Sequence, residues 1–476
     1  MIANWTARVR DAVLGLLAAT ILAALGSPAP LAAGQTSRGD QVTFTKDIAP
    51  ILQRSCQSCH RRDSLAPMSL ITYEEVRPWA KAIKLRTSIR NRQGVMPPWY
   101  IEKDLGIQQF KNDVSLSDDE LARIATWADN GAPSGNPADL PPPLTFADAD
   151  TWQIGKPDLI VSTPDVHIKA VSPDWWGDAG FAPTGLTEDR YVAAVEIKEV
   201  NDSRTKPGRS TVGGLFVFHH ALMSVRSPGG LPSIGGGWPI HEVGRNADVF
   251  NPEAGKLLKA GSEVGFPNVH MHSNGKETTA HLQVGLKFHP KGYQPKLQER
   301  LILIGTGDID IRPMEANQKI ETFFTLQQAT KLTVFEPHMH AAGVRMCLDA
   351  IWNSKIETIS CSGYDHSWVR AYQYADDAAP LLPKGTILRV TGYFDNTPAN
   401  KNVVDPRNWS GLGHRSIDNM VILALQGVGL ADDRFQQEMV TRRERLGLAD
   451  GQNIVGCPLC TIGKPPAARA GGPGGQ

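Results

Sequence analysis

The chain has 476 residues, and its 49 lysines and arginines are balanced by 49 aspartates and glutamates. That length is enough for about three domains of ordinary size. Zero formal charge without a long run of like charge argues against a nucleic-acid partner or an anionic membrane surface, both of which select a basic face.

Residues 1–33 read as an export signal. Arg8 and Arg10 supply the positive start, and Ala12 to Leu25 is an uninterrupted run of apolar or small residues. The run is short for a bilayer crossing, so cleavage is expected, although no clean Ala-x-Ala marks the cut. No other segment is apolar enough to cross a membrane. A periplasmic or secreted protein without firm membrane association is therefore expected.

A small all-α domain is expected over residues 40–137. A helix begins near Thr45 or Asp47 and runs into Cys56-Gln57-Ser58-Cys59-His60. Cys-x-x-Cys-His is the attachment signature of c-type haem: two thiols form thioethers to the porphyrin and the adjacent imidazole ligates iron. The plain alternative is a structural disulfide followed by an unrelated histidine. A second helix is written at Ser117-Asp118-Asp119-Glu120, a capping box with Leu121, Ile124, Ala125 and Ala128 at helical spacing and Gly131 and Pro133 at its end. This layout resembles a small class I cytochrome c. The resemblance implies a second axial ligand on the loop Gly94-Val95-Met96-Pro97-Pro98-Trp99, which makes Met96 the candidate. Met68 competes, but lies only eight residues after His60 and reads as packing.

Residues 138–150 form a Pro-rich linker. Beyond it, short alternating runs such as Tyr191 to Val200 and Gly214 to Phe218 are separated by Gly, Pro, Asn and Asp clusters. Helical periodicity is scarce until about Asp432. The pattern predicts two all-β antiparallel jelly-roll sandwiches, at 151–305 and 306–440, with a break near residues 300–312. Cys347 and Cys361 flank a hairpin turning at Asn353-Ser354 and are placed for a cross-strand disulfide. Cys457-Pro-Leu-Cys460 reads as a small loop disulfide or loose thiols. Residues 441–476 are expected to be a largely disordered tail, too poor in apolar residues from about Gly463 to fold alone.

Of the 13 histidines, all but His60 remain to be placed. Residues i and i+2 of a strand share a face, so His338 and His340 can reach one metal. Adjacent His219 and His220 point apart on a regular strand and need an irregularity to share an ion. The plain alternative is that these are satisfied polar residues on sandwich faces. Taken in order, however, Phe216-Val-Phe-His219-His220, His270-Met-His-Ser-Asn-Gly-Lys276, Pro337-His338-Met-His340 and Asp418-Asn-Met420 resemble the copper type II, ascorbate-dependent monooxygenases. This is the family of peptidylglycine α-hydroxylating and dopamine β-monooxygenases, and the closer likeness is to bacterial members with an N-terminal cytochrome c domain.

The resemblance implies one copper held by His219, His220 and His270 (CuH) and a second, catalytic copper held by His338, His340 and Met420 (CuM), in different domains facing a solvent cleft. His272 becomes a neighbour of the first site, while His167, His241, His281, His289, His366 and His414 receive no role. Three imidazoles accommodate both Cu(I) and Cu(II), whereas two imidazoles and a thioether favour Cu(I). The implied activity is hydroxylation of a C–H bond of a small-molecule substrate by O₂. Electrons would be relayed through haem c from a redox donor, with ascorbate or another reductant as source. The alternative is a non-enzymatic copper and haem electron-transfer or copper-binding protein; transfer sites of copper usually contain a Cys thiolate, which no motif here offers. Animal peptide-hydroxylating members hold the substrate carboxylate with an Arg and a Tyr at positions that are Glu336 and Ala424 here. A neutral, amine-bearing or apolar substrate is expected instead, with Glu336 a candidate carboxylate partner for a ligating histidine.

Overall fold

The computed structural model describes residues 41–61, 64, 66, 68–146, 151–205, 216–230, 237–242 and 247–460. The export signal, the end of the linker, the first two residues of the Gly214 run and the tail beyond 460 lie outside the described residues. No described helix is long and apolar enough to cross a membrane.

The first part is helical: Phe44–Ile48, Ala49–Ser55, Tyr73–Val76, Ala80–Ser88 and Asp118–Asp129. The capping box forms as written, with the Glu120 N–H donating to Ser117 Oγ at 3.2 Å and the Ser117 N–H donating to the Glu120 carboxylate at 2.8 Å. A second box, Thr72 with Glu75, starts a turn that sequence reasoning did not single out. Phe44, Ile48, Leu52, Ile83, Ile124 and Trp127 form the core of these helices.

Between the helices the chain leaves this core. Ile101–Gly106 is an edge strand that pairs antiparallel with Lys355–Gly363. Trp99, Ile101, Ile107 and Phe110 sit in the core of the last β domain. The interval 40–137, expected to be one helical unit, thus lends a strand to another domain. Trp99 meets Phe110 and Tyr372 edge-on, with ring centroids 5.9 and 5.0 Å apart. Gly106 (φ +68°) lies so close to the strand that a Cβ would collide with the Ile359 carbonyl, and only glycine fits.

The rest is two sandwiches of antiparallel sheets. In the first, the sheet containing Arg190–Asn201 and Thr278–Phe288 covers the sheet containing Glu263–Met271 and Phe218–Arg226. Val195, Ile197, Leu282 and Val284 from one meet Phe218, Met223, Phe266 and Val269 from the other. In the second, Gly343–Trp352 and Ile387–Phe394 pack over Ala329–Met339 and Val421–Leu430. Gln298–Gly305 pairs along its length with Val421–Leu430, so the boundary falls before Gln298 and not after residue 305. Isoleucines at 302 and 304 explain this, because they pack into the second core.

Cys347 and Cys361 are register partners and are disulfide-bonded, with Asn353 (φ +53°) in the turn that joins their strands. Cys457 and Cys460 also form a disulfide. Order extends past the expected start of the tail at residue 441. Helix Asp432–Arg445 continues through it, and Phe435, Met439, Cys457 and Cys460 pack on Leu381 and Val428. Buried Arg442 donates to the Ala379 carbonyl at 2.6 Å, an anchor that composition alone hides.

Candidate metal centre

The histidines lie on the outer faces of two sheets, one from each sandwich. In Glu263–Met271 the residues Val269 and Met271 point into the core, so His270 points outward. His270 is the register partner of both His220 and Trp176, and His220 is in turn the partner of Glu242. Trp176, His270, His220 and Glu242 therefore form one row across four strands. The pairing then jumps: His270 faces His220, but Met271 faces Phe218. His219 is the extra residue of a β-bulge, and this irregularity lets neighbouring histidines turn to one side.

His219, His220 and His270 each offer a ring nitrogen, all within 4.8 Å of one another, and all three residues are buried. The Nδ1 atoms of His219 and His220 are 3.2 Å apart. Two bonds of about 2.0 Å meeting near the tetrahedral angle give this separation, so the pair fits a shared ion. His270 Nε2 meets Asp174 Oδ2 at 2.9 Å and Ser416 Oγ at 3.3 Å, while its Nδ1 is buried without a partner. A carboxylate on one nitrogen that leaves the other free is the usual support of a metal-ligating histidine. The hydrogen bond from His270 holds the Asp174 carboxyl below its ordinary value. Trp176 stacks on His270 at 4.2 Å, with the rings 2° from parallel.

On the second sandwich, Phe335 and Met339 face the core and His338 faces out. His338 pairs with Ile422 and Met339 with Val421. His340 directly follows Met339 at the end of its strand, and buried Met420 directly precedes Val421 at the start of the partner strand. His340 is fully buried and neither ring nitrogen has a hydrogen-bond partner. An imidazole in that state is costly unless something else takes its lone pair. Burial and the neighbouring imidazoles push His340 down to about 2 and hold His219 and His220 well below their ordinary values. His219, His220 and His340 are thereby neutral donors, the form a metal requires.

The two groups adjoin. The His220 and His338 ring centroids are 5.3 Å apart, and His338 Nδ1 lies 3.7 Å from Glu242 Oε1 across the sandwich boundary. The expected solvent cleft between the groups is not what these side chains form. Sequence reasoning missed Asp174, Trp176, Glu242 and Ser416, which lie in no motif. It also left His366 without a role, whereas its ring lies 5.3 Å from His219 and 5.6 Å from His340. His272 stands beside His219 at 5.7 Å, as a neighbour.

In the helical part Cys56 and Cys59 are free thiols, although the other four cysteines are paired. Burial and the nearby Cys59 push the Cys56 thiol up to about 12. His60 Nδ1 is 3.3 Å from the Met68 carbonyl, which leaves Nε2 for another partner. These residues fit covalent haem. Met68 and Cys56 both pack against the helical core. Met96 is 41% exposed and lines a cavity of about 340 Å³ with Val95, Trp99, Leu116 and Leu121. Neither the two thiols nor His60 lines that cavity.

No family model and no curated protein matches this chain. Among solved structures, one titled "Structure of infectious bursal disease virus Gx strain" matches over 64% of this chain and 92% of that one, at 9% identity and a TM-score of 0.15. Similarity at that level carries no argument.

Proposed function

We propose that the protein is an exported, copper-dependent monooxygenase of two sandwich domains that hydroxylates a C–H bond of a small molecule with O₂, and that its helical region is a cytochrome c domain. The reading rests above all on the imidazole triad His219, His220 and His270, brought together by a bulge and facing His338 and His340 on the other sandwich. The two disulfides suit an oxidising compartment such as the periplasm. Copper at these residues would supply one-electron and dioxygen chemistry, and haem on Cys56 and Cys59 an electron reservoir.

The chain's own residues have separable tasks. His219, His220 and His270 would hold one ion, with Asp174 fixing the tautomer of His270. His338, His340 and Met420 would hold the other, with Met420 as the soft ligand. Tyr364 donates to the Met339 carbonyl at 2.6 Å, which fixes the backbone between the two histidines. Glu336 and Ala424 are direct cross-strand partners, both buried and two register positions from His338 and Ile422. The position where a substrate carboxylate would be held thus carries an acid, which favours a neutral or amine-bearing substrate.

The test is copper analysis of the full chain, then oxygen uptake with a reductant and a panel of small C–H substrates. His338→Ala and Met420→Ala should abolish product formation, and Cys56→Ala/Cys59→Ala should remove the haem absorbance but not the copper. Bound copper without substrate-dependent oxygen uptake would favour the electron-transfer reading. Absence of copper would end both.

A further inference from the structure

We infer that Ser416, from the second sandwich, is a positioning residue of the His219, His220 and His270 site, so that this site is complete only where the two sandwiches meet. The inference rests on the copper reading above and goes beyond it, since no ligand motif contains Ser416.

Ser416 Oγ donates to Asp174 Oδ2 at 3.2 Å and lies 3.3 Å from His270 Nε2. The same Asp174 oxygen takes the His270 ring at 2.9 Å. With His270 Nδ1 buried and unpaired, the proton falls to Nε2 and the lone pair to Nδ1. The Asp174 side chain is 48% exposed, so water competes for its oxygens. A single bond from His270 leaves such a carboxylate free to turn. A second donor on the same oxygen holds it in one place, and with it the ring that aims Nδ1 at the ion.

The second sandwich holds Ser416 in turn. Its carbonyl accepts from the Ala341 N–H at 3.2 Å, and Ala341 follows His340. The loop that carries it is closed by the Gly413 N–H on the Asn419 carbonyl at 3.1 Å and the Asn419 N–H on the Gly411 carbonyl at 2.9 Å. Within it the Arg415 guanidinium grips the Asp418 carboxylate with bonds of 3.0 and 2.7 Å. Gly413 leaves room for this pair, since a Cβ there would collide with the Asp418 side chain. A braced loop presents its hydroxyl in a fixed place, as support for a ligand requires.

Asp174 leads into strand Trp175–Gly177, which pairs with the His270 strand of the first sandwich. Ser416 lies just before Met420 and strand Val421–Leu430 of the second. Parting the sandwiches therefore lifts the hydroxyl from Asp174 and loosens His270, while His219 and His220 keep their own strand. The triad senses docking through one hydroxyl.

The experiment titrates copper-depleted full-length wild type, Ser416→Ala, Ser416→Thr, Asp174→Asn and the Ser416→Ala/Asp174→Asn double variant with Cu(II) against a competing chelator. Pulsed electron paramagnetic resonance identifies the triad ion by its coupling to three imidazole nitrogens, and near-UV circular dichroism reports whether packing is kept. Ser416→Ala should weaken that ion by about tenfold, and Ser416→Thr, which keeps the hydroxyl, should restore most of the loss. The double variant should bind it no more weakly than Asp174→Asn alone, because the hydroxyl acts through the carboxylate. Affinity within about twofold of wild type in folded Ser416→Ala, or losses that multiply in the double variant, would overturn the inference and leave the function untouched. A wild type that binds no copper fails the copper reading itself, and this inference with it. Should Ser416→Ala not fold, Ser416→Gly, which also lacks the hydroxyl, takes its place with the same two outcomes.

Discussion

Glu199 ties the two sheets of the first sandwich together where the His219-His220 strand begins. Its carboxylate accepts from the Val217 N–H at 2.9 and 3.0 Å and from the Phe218 N–H at 2.8 Å. Both residues are fully buried, so Glu199→Ala leaves two amide donors without water or partner. At about 1–3 kcal/mol for each stranded donor, the substitution should cost about 2–6 kcal/mol. Glu199→Gln keeps one acceptor oxygen and should cost about half of that.

The same residue predicts a pH dependence. Burial pushes its carboxyl from 4.5 up to about 7, outweighing the N–H donors. The folded state then binds more protons than the unfolded state between those values. Its contribution is therefore fully present at the acid end and declines as pH rises through about 7, by about 3 kcal/mol at most. Urea unfolding of the copper-depleted protein at several values between about pH 5 and 8, followed by two probes, measures both effects. Glu199→Ala within 1 kcal/mol of wild type, or an unchanged pH slope in Glu199→Gln, would refute the reasoning.

Three further outcomes are expected. Asp174→Asn should weaken metal binding at the triad by about 10–100-fold while sparing the second ion, read by competition titration. Trp99→Ala should cost about 3–5 kcal/mol and speed amide exchange in Lys355–Gly363, because Trp99 belongs to the β core. Chelation should lower the melting temperature reversibly, since a metal at about 1,000 times its Kd stabilises a fold by about 4 kcal/mol. An unchanged melting temperature would mean that the folded state holds no metal.

Local chemistry made part of this architecture legible. The Ser117 box, the Asn353 turn and the Cys347–Cys361 pair are set by a few neighbouring residues, and each formed as read. The grouping of His219, His220 and His270 was legible only through a resemblance, because strand geometry alone turns His219 and His220 apart. The bulge that reconciles them depends on register with another strand some 50 residues away. Trp99 to Phe110 was misread for a related reason: which core claims an apolar segment is decided by the partner strand. Asp174, Trp176, Glu242 and His366 come from four unconnected segments and carry no spacing signal.

A cation would give the boundary between the sandwiches a physical rationale. Both facing sheets turn polar residues toward each other: imidazoles on each side, with Glu242 1% exposed among them. His219, His220 and His340 are held neutral, so they add no positive charge there. Glu242 Oε2 is buried there without a hydrogen-bond partner, which is costly. A single polar crossing such as Gln426 to Asp248, at 3.1 Å, is too small to balance it. Metal ions at the histidines would supply positive charge beside Glu242 and occupy the orphaned nitrogens of His270 and His340. Metal binding and the docking of the two sandwiches then become one equilibrium, because the groups that need the cation come from both.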